Sequence, residues 1–266
     1  MTAPHDAEPP PGPPPGPPPG PDLGELLAGW PYEPGRVNVR RIGPGPDAPI
    51  QVRVELGILQ LAARGRPDGQ RPGGRESWLE LFRAALEADP SRRLSPEECV
   101  ALRDEAGQFH QRSVAFLALG DFAGIERDTT RNLEVIDLFR DRAAEAADRE
   151  SLERFRGSTL VLRTRARATA AVREGQPRLA VAAIDRGLEE LRRMFLARGE
   201  SAGFDAANAG FDAANEVQLL RGMRDLLVPK LPTSQRSELE ERIRAAIRAE
   251  NYELAAILRD ELRQLP

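Results

Sequence analysis

The chain has 266 residues, of which 40% are apolar and 30% are charged, and 38 basic and 42 acidic residues give a formal charge of −4. This balance excludes a globally basic nucleic-acid binder, and the single cysteine, Cys99, excludes an intramolecular disulfide, a cysteine-rich zinc site and an iron–sulfur cluster. No apolar run approaches the ~20 residues of a membrane helix, and the first residues show no secretion signal, so we expect a cytoplasmic protein.

Proline dominates the first segment of the chain, because 11 of the 24 prolines lie in residues 1–21, where PPPG occurs three times in a row. Such a sequence cannot bury a core, so residues 1–34 are predicted to be a disordered tail that is rich in proline and glycine. The tail is either a solvated spacer or a docking segment for a proline-binding domain. Since it is acidic and the next segment is basic, we also expect it to fold back over that segment.

Residues 35–75 are predicted to be a basic β-hairpin followed by a loop. β-Branched residues alternate with polar ones in two runs, Val37–Ile42 and Ile50–Leu61, which is typical of half-buried strands. The segment holds eight arginines and only three carboxylates. Three of its arginines are candidates for contact with nucleic-acid phosphates, namely Arg40, Arg41 and Arg53. A solvated polar face and a role within the chain are the alternative interpretations.

Residues 76–230 are predicted to form an antiparallel helical bundle. Ser95 and Glu98 form a capping box at the start of one helix, and Gly120 and Asp121 separate that helix from the next. Two helix–turn–helix boundaries, at 118–128 and 172–185, are similar to those of tetratricopeptide hairpins, so we expect tetratricopeptide-like hairpins. Such a stack offers a groove for peptides or partner helices.

Later in the bundle, one helix is predicted from near Asp148 to Gly175 and another from Pro177 to Gly199. The sequence AGFDAAN then occurs twice in tandem, in residues 202–215. The repeat indicates either a small duplication that lengthens a helix or a coiled-coil extension that pairs with another chain.

The sequence contains no pattern that predicts catalysis or metal binding. The two histidines, His5 and His110, have no second ligand at metal-binding spacing, and Cys99 is interpreted as an inert packing thiol. Every carboxylate has an arginine at helical spacing, which favours an exposed helix surface. We therefore expect no enzyme, no cofactor and no metal site.

Residues 231–266 are predicted to be a pair of short antiparallel helices. Ser237 and Glu240 form a capping box for the first helix, and Asn251 ends that helix and caps the second. Each helix is too short to be stable alone in water. We therefore expect the pair to leave an apolar seam that associates with another helical hairpin, either its own copy or a partner's.

This hairpin resembles the UVR motif, through an Ala-Ile pair, an acidic-Asn-Tyr-Glu turn and an AA-x-LRDE core. The UVR motif is the short helical hairpin shared by the UvrB and UvrC subunits of bacterial nucleotide-excision repair, and it also occurs in some Clp-type chaperone subunits and their adaptors. The resemblance implies a homotypic or heterotypic protein-interaction module without catalytic residues. The matching, partner-binding positions are Leu239, Ile243, Ala246, Ile247, Tyr252, Glu253, Ala255, Ala256, Leu258, Arg259, Asp260 and Leu262.

The rest of the chain departs from the repair proteins and the chaperone adaptors, because it has no helicase motif, no nuclease carboxylates and no Cys-x-x-Cys zinc pairs. Only the binding role is therefore carried over. Two functions remain: a non-enzymatic adaptor or scaffold that acts through the hairpin, linked to DNA repair or Clp-type protein quality control, and a nucleic-acid-associated factor. A hairpin that merely caps the bundle is the structural alternative. None of these needs a membrane.

Overall fold

The computed structural model describes residues 23–199, 213–228, 235–248 and 251–264. Within these ranges the chain is mainly helical, as predicted, and residues 38–61 form a small antiparallel sheet. The PPPG repeats lie outside the described residues, and so does the AGFDAAN repeat up to residue 212. Disorder of residues 1–22 and the coiled coil therefore stay predictions, whereas the described end of the predicted tail includes a helix at Leu23–Ala28.

Three strands form the sheet, β1 (Asn38–Arg41), β2 (Ile50–Val54) and β3 (Gly57–Leu61), in the order β1-β2-β3. The prediction of one strand across residues 50–61 is wrong, because the chain turns back at Glu55 and Leu56 and Val54 pairs with Gly57. Leu56, expected on the apolar face, lies at this turn and is 87% exposed. The predicted hairpin is therefore a three-stranded meander.

The two faces of the sheet have different partners. On one face, Ile50 and Leu61 are paired neighbours that are buried in a cluster with Phe116 and Ile125 of the helices. The chain that follows α1 (Leu23–Ala28) crosses part of the other face and brings the Trp30 ring to 4.2 Å from the Arg40 guanidinium. The sheet thus lies between the helices and residues that were predicted to belong to the tail.

Seven helices follow the sheet in the described part of the chain up to residue 228. They are α2 (Trp78–Ala88), α3 (Pro96–Leu119), α4 (Phe122–Arg142), α5 (Ala146–Ser151), α6 (Arg156–Arg173), α7 (Pro177–Ala197) and α8 (Ala213–Leu227). The single helix predicted from near Asp148 to Gly175 is instead α5 and α6, with a 3₁₀ turn at Glu153–Phe155 between them. The direction of the chain changes at this turn, so α6 can pack back along α4.

The predicted signals at the junction of α3 and α4 are confirmed. Ser95 Oγ accepts a hydrogen bond from Glu98 N, and Glu98 Oε2 accepts one from Ser95 N, which completes the capping box. Gly120 ends α3 with φ of +69°, a conformation that favours glycine, and Asp121 Oδ1 accepts a hydrogen bond from Gly124 N at 2.9 Å. Local chemistry alone therefore sets this tight turn.

Consecutive helices of the bundle run antiparallel. Leu94, just before α3, donates a hydrogen bond to Arg142 O at the end of α4. Asp137 near the end of α4 pairs with Arg156 at the start of α6, at 2.9 Å. One large cluster of buried apolar residues runs through these helices to Leu227 near the end of α8. The antiparallel bundle is confirmed, and its likeness to tetratricopeptide hairpins stays a prediction.

Candidate partner-binding site

Two further helices, α9 (Gln235–Arg248) and α10 (Tyr252–Gln264), form the C-terminal hairpin. The turn between them is fixed by Asn251, whose N–H donates to Ala246 O at 2.9 Å and whose Oδ1 accepts from Leu254 N at 3.1 Å. The first bond closes the end of α9 and the second caps the start of α10. The predicted role of Asn251 is therefore confirmed, and the turn holds the two helices against each other.

The inner seam of the hairpin is built from small and aliphatic side chains. Ala246, Ala255 and Leu258 are buried, and Ile243 is half-buried. Alanines at the seam let the two helix backbones approach closely. These buried side chains belong to neither of the two apolar clusters of the sheet and the bundle. The hairpin therefore has a small core of its own.

The outer surface of the hairpin carries large apolar side chains that the inner seam leaves in water. Ile247 is 50% exposed, Tyr252 is 68% exposed, Leu254 is 41% exposed and Ile257 is 60% exposed. Leu254 and Ile257 were not among the predicted partner-binding residues. Their spacing of three residues, which places them on one face of α10, is the signal that could have identified them.

The remaining predicted partner-binding residues fall into two groups. One group lies at the edge of the hairpin surface, and the other has side chains outside the described part of the structure. Ala256 is half-buried, and Arg259 pairs with Asp260 at 3.4 Å on the exposed surface. The side chains of the other three predicted residues lie outside the described part of the structure, namely Leu239, Glu253 and Leu262.

Of the three arginines proposed for phosphate contact, Arg53 is the most buried. It is 8% exposed, and its Nε donates to Trp30 O at 3.0 Å while Nη1 donates to Glu55 O and Gly57 O. The guanidinium therefore ties the segment after α1 to the β2–β3 turn.

The other two arginines are partly engaged within the chain. Arg41 is half-buried, forms an ion pair with Asp121 and donates to Pro46 O. Arg40 is exposed, and its Nε and Nη2 donate to Gln51 Oε1 at 2.9 and 2.8 Å. The sequence placed the three arginines in one sheet, and the structure leaves Arg40 as the most accessible of them.

A buried polar network connects α2, α3, α4 and the loop after β3. Glu105 is fully buried, accepts hydrogen bonds from Trp78 N and Leu79 N at the start of α2, and pairs with Arg131. Asp128 is also fully buried and pairs with Arg112 at 2.7 Å. The interpretation of every carboxylate as exposed helix surface is therefore wrong for Glu105 and Asp128.

Burial has clear electrostatic effects at two groups. It lowers the pKa of Arg131 to about 9, because the guanidinium loses water around it. It raises the pKa of the Cys99 thiol to about 11, because the thiolate is disfavoured away from water. Cys99 is fully buried among apolar neighbours, as the interpretation as a packing thiol predicts.

The described residues contain no group of three or more histidine, cysteine or acidic side chains arranged to hold a metal ion. His110 lies on the exposed surface of α3. Over the same residues, none of the helices combines the length and the apolar character that spanning a membrane requires.

The hairpin geometry agrees with the comparison of the chain with known protein families. The family model of the UvrB/uvrC motif, UVR, matches residues 233–265, which include both α9 and α10. Neither the curated proteins nor the solved structures that were compared with the chain gave a match. The resemblance predicted from the sequence is therefore confirmed over about an eighth of the chain: residues 233–265 are a UVR motif.

Proposed function

We propose that this chain is a non-enzymatic adaptor or scaffold whose UVR hairpin binds a partner protein or a second copy of itself. One observation carries the proposal: the matched motif leaves Ile247, Tyr252, Leu254 and Ile257 largely exposed. Single exposed apolar side chains are ordinary on protein surfaces, whereas Leu254 and Ile257 lie together on one face of α10, where a partner helix can cover both.

The chemistry of the surface fits apolar association with a polar rim. Burying one large apolar side chain contributes ~1.5–3 kcal/mol, so a few such residues supply most of the affinity of a small interface. The pair Arg259–Asp260 lies on the exposed surface of α10, where charges select the partner more than they add affinity. The proposed partner therefore presents a complementary apolar helical face.

Two classes of partner follow from the motif. The UVR motif is an interaction module associated with DNA repair, so a subunit of nucleotide-excision repair is one class, and a Clp-type chaperone is the other. In either case the helical bundle, with its tetratricopeptide-like hairpins, acts as the scaffold that the hairpin attaches to the partner.

Two substitutions test the proposal, Tyr252→Glu and Ile257→Glu. Each places a charge in the exposed apolar surface, so we expect partner binding or self-association to weaken at least about tenfold while the bundle stays folded. Sedimentation velocity measures self-association, and affinity purification with and without residues 231–266 measures partner capture. The matched control is Leu179→Glu, because Leu179 is 55% exposed but lies on α7, outside the hairpin.

Equal association of the two hairpin variants and the unchanged chain would mean that the hairpin only caps the bundle. Loss of association in Leu179→Glu alone would place the binding surface on α7.

Contact with nucleic-acid phosphates through Arg40, Arg41 and Arg53 stays the alternative prediction. The contacts of Arg41 and Arg53 within the chain favour a structural role for those two side chains. A gel-shift series across salt concentrations, with Arg40→Gln as the variant, separates this function from the adaptor.

A further inference from the structure

The helix α8 packs on the bundle with one side only. Val217, Leu220 and Leu227 on that side are buried and belong to the large apolar cluster. Leu219 and Leu226 lie two turns apart on the other side, where they are 42% and 71% exposed. The helix that ends a stack usually turns a polar side to water, so two exposed leucines here indicate that another element covers α8.

Gly222 lies between these two leucines on the same exposed side of α8. A Cβ built on it meets no atom within 4 Å, so packing within the bundle does not require glycine at this position. Glycine in the middle of a helix is less favourable than alanine. Its small size, however, lets another helix pack closely between the leucines. We call Leu219, Gly222 and Leu226 the α8 stripe.

The order of packing in the bundle shows which element is next to α8. Each long helix packs on the long helix before it, as α4 does on α3 and α6 on α4. Glu190 of α7 pairs with Arg163 of α6, and Arg224 of α8 pairs with Asp185 of α7. The next helices in the chain are α9 and α10 of the UVR hairpin, so the hairpin follows α8 in this order.

The connection between α8 and α9 keeps the hairpin within reach of the α8 stripe. It consists of the six residues 229–234, and connections of ~2–8 residues are typical between antiparallel neighbours in bundles. Even fully extended, it spans no more than ~25 Å. A link this short gives the hairpin an effective concentration in the millimolar range at its own α8. A hairpin of the same chain is therefore favoured over one from a second copy.

We propose that the α8 stripe binds the face of α10 that carries Leu254 and Ile257, within the same chain, and so competes with the partner of the UVR hairpin. Leu254 and Ile257 are exposed like the leucines of the stripe, so the structure shows the undocked hairpin. Docking covers both apolar surfaces. The competition rests on the proposed function, because the same face of α10 then binds the partner, whereas the docking itself does not.

Oxidation of the full-length double variant Leu226→Cys with Ile257→Cys tests the docking. A disulfide requires the two Cα atoms to lie within ~7 Å, so it forms readily only when α10 lies on the stripe. The native Cys99 does not interfere, because it is fully buried and the pKa of its thiol is raised to about 11. Mass spectrometry of the intact chain and non-reducing gels distinguish disulfides within one chain from those between chains.

The matched control is Asp225→Cys with Ile257→Cys. Asp225 is exposed and lies at the same distance along the chain, but on another side of α8. We expect the disulfide within one chain to form at least about tenfold faster from position 226 than from position 225. Equal rates would mean that the short connection alone brings the cysteines together, which overturns the docking. A disulfide that forms only between chains, faster at higher protein concentration, would overturn it in favour of a second copy.

Leu219→Glu places a charge in the stripe without changing either cysteine. Because Leu219 is exposed, the bundle should stay folded, and thermal unfolding checks this. We expect the variant to slow the disulfide about tenfold, and an unchanged rate would overturn the proposal. In the chain without added cysteines, Leu219→Glu should strengthen self-association in sedimentation velocity. Weaker self-association would also overturn the proposal, because it would place α8 in the partner-binding surface.

The two proposals can fail separately. If Tyr252→Glu and Ile257→Glu leave association unchanged while the disulfide still forms faster from position 226 than from position 225, the proposed function fails and the docking stands. If those two variants weaken association but the two disulfide rates are equal, only the docking fails.

Discussion

At the scale of single residues, the most consequential contact is the buried ion pair between Arg112 and Asp128. Both side chains are fully buried, and Nε and Nη2 of Arg112 donate to the two carboxylate oxygens at 2.7 and 2.8 Å. Burying two charges costs several kcal/mol per ion, which only a well-formed pair with further hydrogen bonds offsets. Here the geometry is bidentate, so the pair holds α3 and α4 in one alignment.

Removing one partner of this pair should lower the free energy of unfolding far more than removing both partners. We expect Asp128→Ala to lower the free energy of unfolding by about 3–5 kcal/mol, because it leaves an uncompensated buried guanidinium. The double variant Arg112→Met with Asp128→Leu should lose much less. Urea denaturation followed by circular dichroism measures both. The control, Asp141→Ala, breaks an exposed pair with Arg140 and should change stability by less than about 1 kcal/mol.

The separation along the chain between a side chain and its partners explains which contacts could be predicted from the sequence. The cap formed by Ser95 and Glu98 depends on residues three apart, so the sequence contains the whole signal. The carboxylate of Glu105 accepts a hydrogen bond from the backbone at the start of α2 and pairs with Arg131. The carboxylate of Asp128 pairs with Arg112. Those partners lie sixteen or more residues away, so burial of the two carboxylates follows only from the packing of the helices.

At the scale of elements, glycines set how closely the helices approach. A Cβ on Gly187 of α7 would lie 2.2 Å from Thr164 Oγ1 of α6, and one on Gly124 of α4 would lie 2.8 Å from the Phe116 ring of α3. Both distances are shorter than any real contact, so these two pairs of helices are packed as closely as their backbones allow. Thr164 cannot move aside easily, because its branched side chain has few rotamers in a helix.

Adding one methyl group at two glycines should therefore have opposite effects. We expect Gly187→Ala to destabilise the chain by about 1–3 kcal/mol through overpacking against Thr164. Gly107→Ala should leave stability unchanged or raise it by up to about 1 kcal/mol, since it gains helix propensity and meets open space. Thermal unfolding of the two variants measures this difference, and equal melting temperatures would contradict the close α6–α7 contact.

Elements with local end signals were predictable, whereas the strand boundaries were not. Pro177 begins α7 as expected, because proline favours the first turn of a helix. In β2, by contrast, the alternation of apolar residues continues through Leu56, although the chain already turns at Glu55. Neither Glu55 nor Leu56 is a typical turn residue, so the local signal for the β2–β3 turn is limited to Gly57, which pairs with Val54 across it.

At the scale of the whole molecule, the segment after α1 connects the N-terminal region to the sheet. Part of the predicted pairing of the acidic tail with the basic segment is present, because Glu33 forms an exposed ion pair with Arg36 at 3.2 Å, but the contacts with the strands are of another kind. Trp30 contributes its ring to Arg40 and its carbonyl oxygen to Arg53, and Glu33 O accepts a hydrogen bond from Asn38 Nδ2 at 2.8 Å. Aromatic and backbone groups therefore make these contacts.

Deleting residues 1–34 should expose the outer face of the sheet. We expect amide hydrogen exchange in β2 and β3 to accelerate, because Arg53 loses the carbonyl of Trp30 and its cover from water. Hydrogen-exchange mass spectrometry measures the change, and α7 serves as the internal reference. Since the contacts are aromatic and backbone in kind, exchange should depend little on salt. Unchanged exchange in β2 would contradict the role of the segment.

The loop after β3 imposes a constraint on how this sequence can vary. Arg112 Nη1 donates to Ala62 O and Gly65 O, and Arg127 Nη2 donates to Ala63 O at 3.0 Å. Surface loops usually accept insertions and deletions, because their carbonyl groups can turn to water. Here two arginines of neighbouring helices bind three carbonyl oxygens within four residues. An insertion or a deletion within residues 62–65 should therefore break these contacts and destabilise the chain.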